Sequence, residues 1–226
     1  MKMKLAFLLS LFLSIGANSL LSGQSVDSFD IREPENHTIT VERLMRYHDS
    51  GEYEAQIRRI ANSAREYLEL RLKAVPKEDK PAVVFDIDET SLSNWDAMSS
   101  CGFCAYSVQS KLYSNAHDPA ISPILELYNF AKSKGATVFF VTGRQEAQRQ
   151  LTIGNLQEVG YSGWADLIMQ PDGNKLPARI FKPQNRSSIE QKGYHILLNI
   201  GDQASDLAGC CAERTFKLPN PFYQIP

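Results

Sequence analysis

Apolar and polar positions along the chain form two patterns, short continuous apolar runs and longer stretches with helical spacing. From Thr40 onward, apolar residues recur every three or four positions, which predicts one packed face of a helix that Pro76 ends. That face consists of Ile57, Ile60, Ala61, Ala64 and Leu68. Residues 24–40 are polar and irregular and predict an N-terminal arm.

The continuous apolar runs predict buried strands. The predicted strands are 81–85, 136–142, 166–169, 195–200 and a short fifth at 214–218. Between the first two, a helix is predicted with Ser122 as N-cap, Pro123 in its first turn and Gly135 after its end. Another helix is predicted at 145–158. Alternating strands and helices predict an α/β fold with a Rossmann-like parallel sheet, whose chemistry lies at the carboxyl ends of the strands.

Residues 91–121 mix Ser, Asn, Cys, Tyr and Trp without periodicity and predict a flap and small cap over the strand ends. Trp95, Phe103 and Tyr106 in this segment are candidates for stacking on a nucleobase or an aromatic leaving group. Ordinary packing inside the cap explains the same three residues equally well.

The first 23 residues differ from the rest of the chain. Lys2 and Lys4 precede the apolar run Leu5–Ile15, and small residues follow, which predicts a signal peptide cleaved after Ser19 or Gly23. A membrane anchor is the alternative, but this run is shorter than the roughly 20 residues that span a bilayer. The predicted organisation is therefore a leader at 1–23 and one domain at 24–226, exported to a periplasm or secreted, with no stable membrane anchor.

Composition narrows the class of partner. The chain has 226 residues, with 24 Lys and Arg against 26 Asp and Glu, so loss of the two leader lysines leaves 22 basic residues. Acidic residues therefore outnumber basic ones, and no run of basic residues is interleaved with aromatics. This composition disfavours nucleic-acid binding, which depends on neutralising phosphates with Lys and Arg. The oligomeric state is not predicted.

Four cysteines lie outside the leader, at Cys101, Cys104, Cys210 and Cys211. An even number in an exported chain predicts at least one disulfide, with Cys101 and Cys104 a candidate pair. Free thiols are the next alternative. A zinc site is the least favoured, because adjacent cysteines chelate a tetrahedral metal poorly.

The candidate chemistry begins with Asp86 and Asp88, directly after the first apolar strand. Two carboxylates at this spacing off a strand end can converge on one ligand, where one attacks and the other transfers a proton. An acidic turn is the ordinary alternative.

Three further groups follow later strands. Thr142 and Gly143 offer a hydroxyl and amides for phosphate, and Lys182 offers a positive charge, although a solvated surface lysine is the more common case. Asp202 and Asp206 follow the fourth strand and are hard oxygen ligands suited to Mg²⁺.

In this order, all at strand ends, these elements resemble the haloacid dehalogenase superfamily. More narrowly, Phe85-Asp-Ile-Asp-Glu-Thr90 with Asn94, Val-Thr-Gly-Arg at 141–144 and Gly-Asp-Gln-Ala-Ser-Asp-Leu at 201–207 resemble the four-aspartate acid phosphatases. That group includes bacterial class B and class C enzymes and the plant acid phosphatases related to vegetative storage proteins. The segment Tyr47–Tyr53 is similar to the plant-type members.

The resemblance implies a phosphomonoester hydrolase that acts on small molecules. Asp86 would be the nucleophile and Asp88 the general acid and then base. Thr142, Gly143 and Lys182 would hold the phosphoryl oxygens. Mg²⁺ would be bound by Asp86, the backbone carbonyl of Asp88 and Asp202, supported by Asp206. A non-catalytic storage protein on the same fold and a nucleoside phosphotransferase remain open as alternatives.

Overall fold

A computed structural model describes residues 33–105, 117–173 and 176–225. The predicted leader and Tyr106 lie outside these residues. The described residues from Asn36 onward belong to one compact unit. No helix of the described part of the chain is long and apolar enough to cross a membrane.

Five parallel strands form the central sheet, in the order β3-β2-β1-β4-β5. They are β1 Pro81–Phe85, β2 Thr137–Gln145, β3 Asp166–Gln170, β4 His195–Gly201 and β5 Arg214–Lys217. The predicted α/β fold with a parallel sheet is confirmed. From β1 the chain adds β2 and β3 on one side of the sheet and then β4 and β5 on the other side. The boundary between β1 and β4 is therefore a topological switch point, where ligands of open α/β sheets bind.

Helices cover both faces of this sheet. They are α1 His37–Asp49, α2 Glu52–Ala74, α3 Trp95–Ser100, α4 Ser122–Ser133, α5 Arg149–Glu158, α6 Ala178–Gln191 and α7 Ala204–Leu207, with short 3₁₀ turns at Lys77–Asp79 and Glu146–Gln148. Val83 and Phe85 point to the face covered by α2 and α4, while Ala82 and Val84 point to the face covered by α6. Burial on both faces explains why β1 is apolar at every position.

The N-terminal helical region differs from its prediction in two ways. The helix begins at His37 rather than near Thr40, because the Asn36 side chain accepts the Thr38 amide and caps it. It also breaks into α1 and α2 at Gly51, whose φ of 79° is the left-handed conformation that glycine tolerates. The predicted face of α2 is otherwise confirmed, since Ile57, Ala61 and Leu68 are buried.

Helix α4 has a different start from the predicted one. Ser122 is its first residue rather than its N-cap, and Ile121 holds the cap position without a side-chain bond. Gly135 follows its end with φ 86°, as predicted. Cys101 is bonded to Cys104 and Cys210 to Cys211, which confirms the prediction of at least one disulfide.

Candidate active site

Asp86 continues the hydrogen-bond ladder one residue beyond β1. Its amide donates to the Ile200 carbonyl of β4 at 3.1 Å, which places its side chain at the switch point between the two strands. The side chain is buried, and Oδ1 lies 2.5 Å from the Lys182 Nζ. Burial raises the pKa of Asp86 well above its usual range, and the Lys182 cation opposes this effect.

Lys182 is a buried bridge rather than a surface lysine. It is 4% exposed, and its Nζ donates to Asp86 Oδ1 at 2.5 Å and to Asp206 Oδ1 at 2.6 Å. Burial lowers the pKa of Lys182, but the two carboxylates outweigh burial, and the net pKa is raised. A solvated surface position, the common case for an isolated lysine, is therefore wrong here, because α6 directs Lys182 into the buried carboxylate group.

Asp202 and Asp206 are held by the turn after β4. A Cβ atom on Gly201 would lie 2.5 Å from the Cβ of Asp206, so this position admits only glycine. Asp206 Oδ2 accepts the Gln203 amide at 2.8 Å. Asp202 Oδ2 accepts the side-chain amides of Gln203 and Asn220, each at 2.6 Å.

These carboxylates form a group that suits a cation. Asp86, Asp202 and Asp206 each offer one oxygen, and the three oxygens lie within 4.8 Å of one another, all buried. Lys182 is the cation in direct contact with two of them. Burial and then the Asp206 charge raise the pKa of Asp202 to about 7. Three crowded carboxylates against one ammonium are the donor set and charge imbalance that a hard divalent cation relieves.

Asp88 has a different environment. The guanidinium of Arg144, a residue of β2, donates hydrogen bonds to both of its carboxylate oxygens, with Nη2 at 2.8 Å from Oδ1 and Nε at 3.2 Å from Oδ2. The Asn94 side chain donates to Oδ1 at 2.9 Å. Burial raises the pKa of Asp88, but Arg144 and Asn94 overcome it and the net pKa is lowered.

The structure places Thr142 and Gly143 beside these groups, at the carboxyl end of β2. The Thr142 hydroxyl is fully buried and accepts the Arg144 amide at 3.1 Å, and Gly143 lines the cavity. Phosphate binding by Thr142 stays a prediction.

A cavity of about 370 Å³ opens over the carboxylates. Its polar floor contains Asp86, Asp88, Gly143, Lys182, Asp202 and Asp206. Leu176, Pro177, Tyr223 and Ile225 contribute apolar walls. The cavity therefore brings together all of the predicted catalytic and metal-binding carboxylates and the predicted lysine.

Two of the three predicted stacking residues, Trp95 and Phe103, pack against other aromatic rings outside the cavity. Trp95 stacks on His48 with ring centroids 3.5 Å apart, and Phe103 stacks on Phe222 at 5.5 Å. Neither is among the described residues that line the cavity. These contacts with the first helix and the C-terminal segment account for both rings, and substrate stacking by Trp95, Phe103 or Tyr106 stays a prediction.

Comparisons with known proteins identify the family of this chain. The family described as HAD superfamily, subfamily IIIB (acid phosphatase), matches residues 18–226, which is most of the chain. This chain belongs to that acid phosphatase family. The resemblance to haloacid dehalogenase-type acid phosphatases is thereby confirmed, and the family is one of phosphomonoester hydrolases.

Individual relatives of this acid phosphatase family member differ in coverage. The chain is 35% identical over 181 residues to acid phosphatase 1 of Solanum lycopersicum, which covers 76% of this chain and 69% of that protein. It is 34% identical over 148 residues to vegetative storage protein 1 of Arabidopsis thaliana, which covers 63% of this chain. The match spans only 55% of that storage protein's length.

The fold also matches a solved structure. The class C acid phosphatase from Bacillus anthracis superimposes with a TM-score of 0.67 at 23% identity, covering 82% of this chain and 86% of that one. At this identity the match concerns the fold alone.

Several site residues of this family member were missed from sequence. Arg144 belonged to a quoted motif but had no assigned role, and Asn220 stands between two prolines, 18 residues after Asp202. Arg186 is 1% exposed and donates to the carbonyls of Asp206, at 2.7 Å, Ala208 and Cys210. No local pattern signals such contacts. Glu89 could have been found from sequence, because it is the third acidic residue among the four residues 86–89 of the first motif.

Proposed function

We propose that this chain is an exported, Mg²⁺-dependent acid phosphatase that hydrolyses small phosphomonoesters through an aspartyl-phosphate on Asp86. The carrying observation is the buried arrangement in which Lys182 Nζ lies 2.5 Å from Asp86 and 2.6 Å from Asp206 beneath the cavity. Family membership supports the reaction class. The intermediate, the metal and the site roles are the finer steps of the proposal.

The donor set supports the choice of metal. Asp86, the backbone carbonyl of Asp88 and Asp202 would hold the ion, and Asp206, whose two oxygens already accept bonds from Lys182 and Gln203, would support them. All of these donors are oxygens, which Mg²⁺ prefers. When bound, Mg²⁺ supplies positive charge that stabilises the phosphoryl oxygens during transfer.

The protein side chains would divide the remaining work. A carboxylate oxygen of Asp86 forms a bond to phosphorus while the bond to the leaving oxygen breaks, and Asp88 gives that oxygen its proton. Water then attacks phosphorus, Asp88 accepts the water proton, and the Asp86–phosphorus bond breaks to release phosphate. Lys182, Thr142 and the Gly143 amide would stabilise the phosphoryl oxygens throughout.

Two alternatives have different supports. A storage role is suggested by the relative named vegetative storage protein 1. Against it stands the presence of Asp86, Asp88, Asp202 and Asp206 together around one cavity. A nucleoside phosphotransferase would use the same residues and differ only in its acceptor, so it is tested by supplying a nucleoside in place of water.

Export is proposed on two grounds. Lys2, Lys4 and the apolar run Leu5–Ile15 form a leader pattern. Two disulfides are also typical of proteins that fold in an oxidising compartment.

The test is a turnover screen of nucleotides, sugar phosphates and aryl phosphates, with and without Mg²⁺. We expect hydrolysis that chelation abolishes and Mg²⁺ restores. In Asp202→Asn, the activation of hydrolysis by Mg²⁺ should be severely reduced. The control is Asp79→Asn, an exposed carboxylate outside the site. Full turnover in excess chelator would overturn the metal assignment, and no turnover of any ester under any condition would favour the storage role.

A further inference from the structure

Tyr53, on α2 outside the sheet, contacts the loop that follows β1. Its side chain is 4% exposed, and its ring contacts Phe222 edge-on with centroids 5.1 Å apart. Its hydroxyl donates to Glu89 Oε2 at 2.9 Å in a buried hydrogen bond. The helical region that precedes the sheet therefore contacts the loop that carries Asp86 and Asp88.

Glu89 is held at both carboxyl oxygens. It is fully buried, and its Oε1 accepts the backbone amide of Asn94 at the start of α3. Its φ of 52° lies in the left-handed region, which is uncommon for glutamate. A residue keeps such a conformation when its surroundings specify it. The two hydrogen bonds supply that specification.

Asn94 carries the connection to the site. Its Nδ2 donates to Asp88 Oδ1 at 2.9 Å. Its other amide atom, Oδ1, is buried and has no hydrogen-bond partner within the described part of the chain. The side chain therefore depends on its backbone for placement, and Glu89 holds that backbone.

We propose that Tyr53 and Glu89 are positioning residues that hold Asp88, through Asn94, in place to protonate the leaving group. This inference rests on the proposed role of Asp88 as general acid. A proton donor acts only within hydrogen-bond reach of the leaving oxygen. A displacement of about 1 Å in a catalytic group can lower a rate by roughly 10²-fold.

The competing explanation is that Tyr53 and Glu89 only stabilise the fold. A structural role would lower the thermal midpoint and reduce turnover of all esters by the same factor. A positioning role has a different signature, because proton donation matters most for poor leaving groups. The ratio of alkyl to aryl phosphate turnover separates the two.

The first measurement compares Tyr53→Phe with wild type on a sugar phosphate and an aryl phosphate. We expect a loss of about tenfold on the sugar phosphate and less than about threefold on the aryl phosphate. The matched control is Tyr128→Phe, which also removes a buried tyrosine hydroxyl, bonded to the Ser162 carbonyl at 2.8 Å. Its ratio of the two rates should equal that of wild type.

A double variant gives the second measurement. If Tyr53 acts through Asp88, Tyr53→Phe/Asp88→Asn should be no slower on the sugar phosphate than Asp88→Asn alone. Losses that multiply would overturn the inference. Glu89→Gln, which keeps an acceptor for the Asn94 amide, should lose less than Glu89→Ala while shifting the ratio in the same direction. An equal loss on both esters in the two Glu89 variants would also overturn it.

Different results would overturn the positioning role of Tyr53 and the acid role of Asp88. If Asp88→Asn shows a steep leaving-group dependence but Tyr53→Phe behaves like Tyr128→Phe, only the positioning inference is wrong. If Asp88→Asn itself shows no such dependence, the proposed role of Asp88 is wrong and the inference is overturned with it.

Discussion

Asp86 and Asp88 leave the same strand two residues apart, but their carboxylates have opposite surroundings. Asp86 faces a lysine that it shares with Asp206 and lies next to Asp202, and burial followed by the like charges raises its pKa against the opposing effect of Lys182. Asp88 is gripped by the forked guanidinium of Arg144 and by Asn94, which lower its pKa. Environment, not residue type, separates the two carboxylates, as it does wherever one site needs two carboxylates in different roles.

The different partners also suit different tasks. Lysine is a compact point charge on a flexible stem, which suits the role proposed for Lys182, stabilising a phosphoryl group as it is transferred to Asp86. Arginine offers a rigid fork that fixes the plane of a carboxylate. The Asp86 region is therefore built to take up a ligand, and the Asp88 region is built to hold one side chain still.

The largest expected effect comes from Asp86→Asn, which removes the carboxylate of the proposed nucleophile. Turnover of every phosphoester should fall by at least about 10⁴-fold, as for other covalent nucleophiles. No phosphoenzyme should form on acid quenching with a labelled substrate. The fold should survive, which thermal unfolding checks. Phosphoenzyme trapped in this variant would show that another residue is the nucleophile.

Asp88→Asn should have a smaller, substrate-dependent effect. Sugar phosphates should lose about 10²–10⁴-fold in kcat, the usual range for general acid catalysis. Aryl phosphates should lose less in the first step, because a phenolate departs with little help. Phosphoenzyme should then accumulate, since the second step lacks its base.

A rate series over leaving-group pKa makes this measurement for wild type and Asp88→Asn. Equal loss across the series, with no trapped phosphoenzyme, would remove Asp88 from the acid and base roles. The comparison between the two carboxylates would then lose its functional meaning.

The smallest effect is expected from Arg144→Met, read as a pH profile. The Arg144 cation lowers the pKa of Asp88, so its removal should raise that pKa. Because Asp88 donates only when protonated, the fall in kcat/KM with rising pH should move to higher pH, by about one unit or more. Arg149→Met is the control, since Arg149 pairs with Glu146 instead. An unmoved profile would show that Arg144 does not tune the acid.

Local chemistry was enough to locate most of the site. Strand β1 could be predicted from its continuous apolar run, because both of its faces are buried. A parallel sheet then brings Asp86, Asp88, Thr142 and Asp202 together, because the carboxyl ends of neighbouring strands meet at one edge. Strand β4 was readable for the same reason. Family motifs added Lys182 and the roles, which spacing alone does not assign.

Helix boundaries were less predictable than strands. The break at Gly51 divides one continuous apolar pattern into α1 and α2. The pattern reports which residues face the core, not whether the axis continues. The start of α4 was also off by one residue, with Ile121 rather than Ser122 at the N-cap. A serine near a helix start predicts a cap from sequence whether it stands at the cap position or at the first helical position.

The sequence by itself determined the order of strands and helices, the carboxylates at the strand ends and the family, because these depend on local periodicity and on motifs within a few residues. Only the tertiary structure decided the partners. Lys182 meets Asp86 across 96 residues of chain, and Arg144 meets Asp88 across 56. Tyr53 meets Glu89 across 36. Such contacts form when the sheet closes and buried charges must find partners, and that requirement acts through space rather than along the chain.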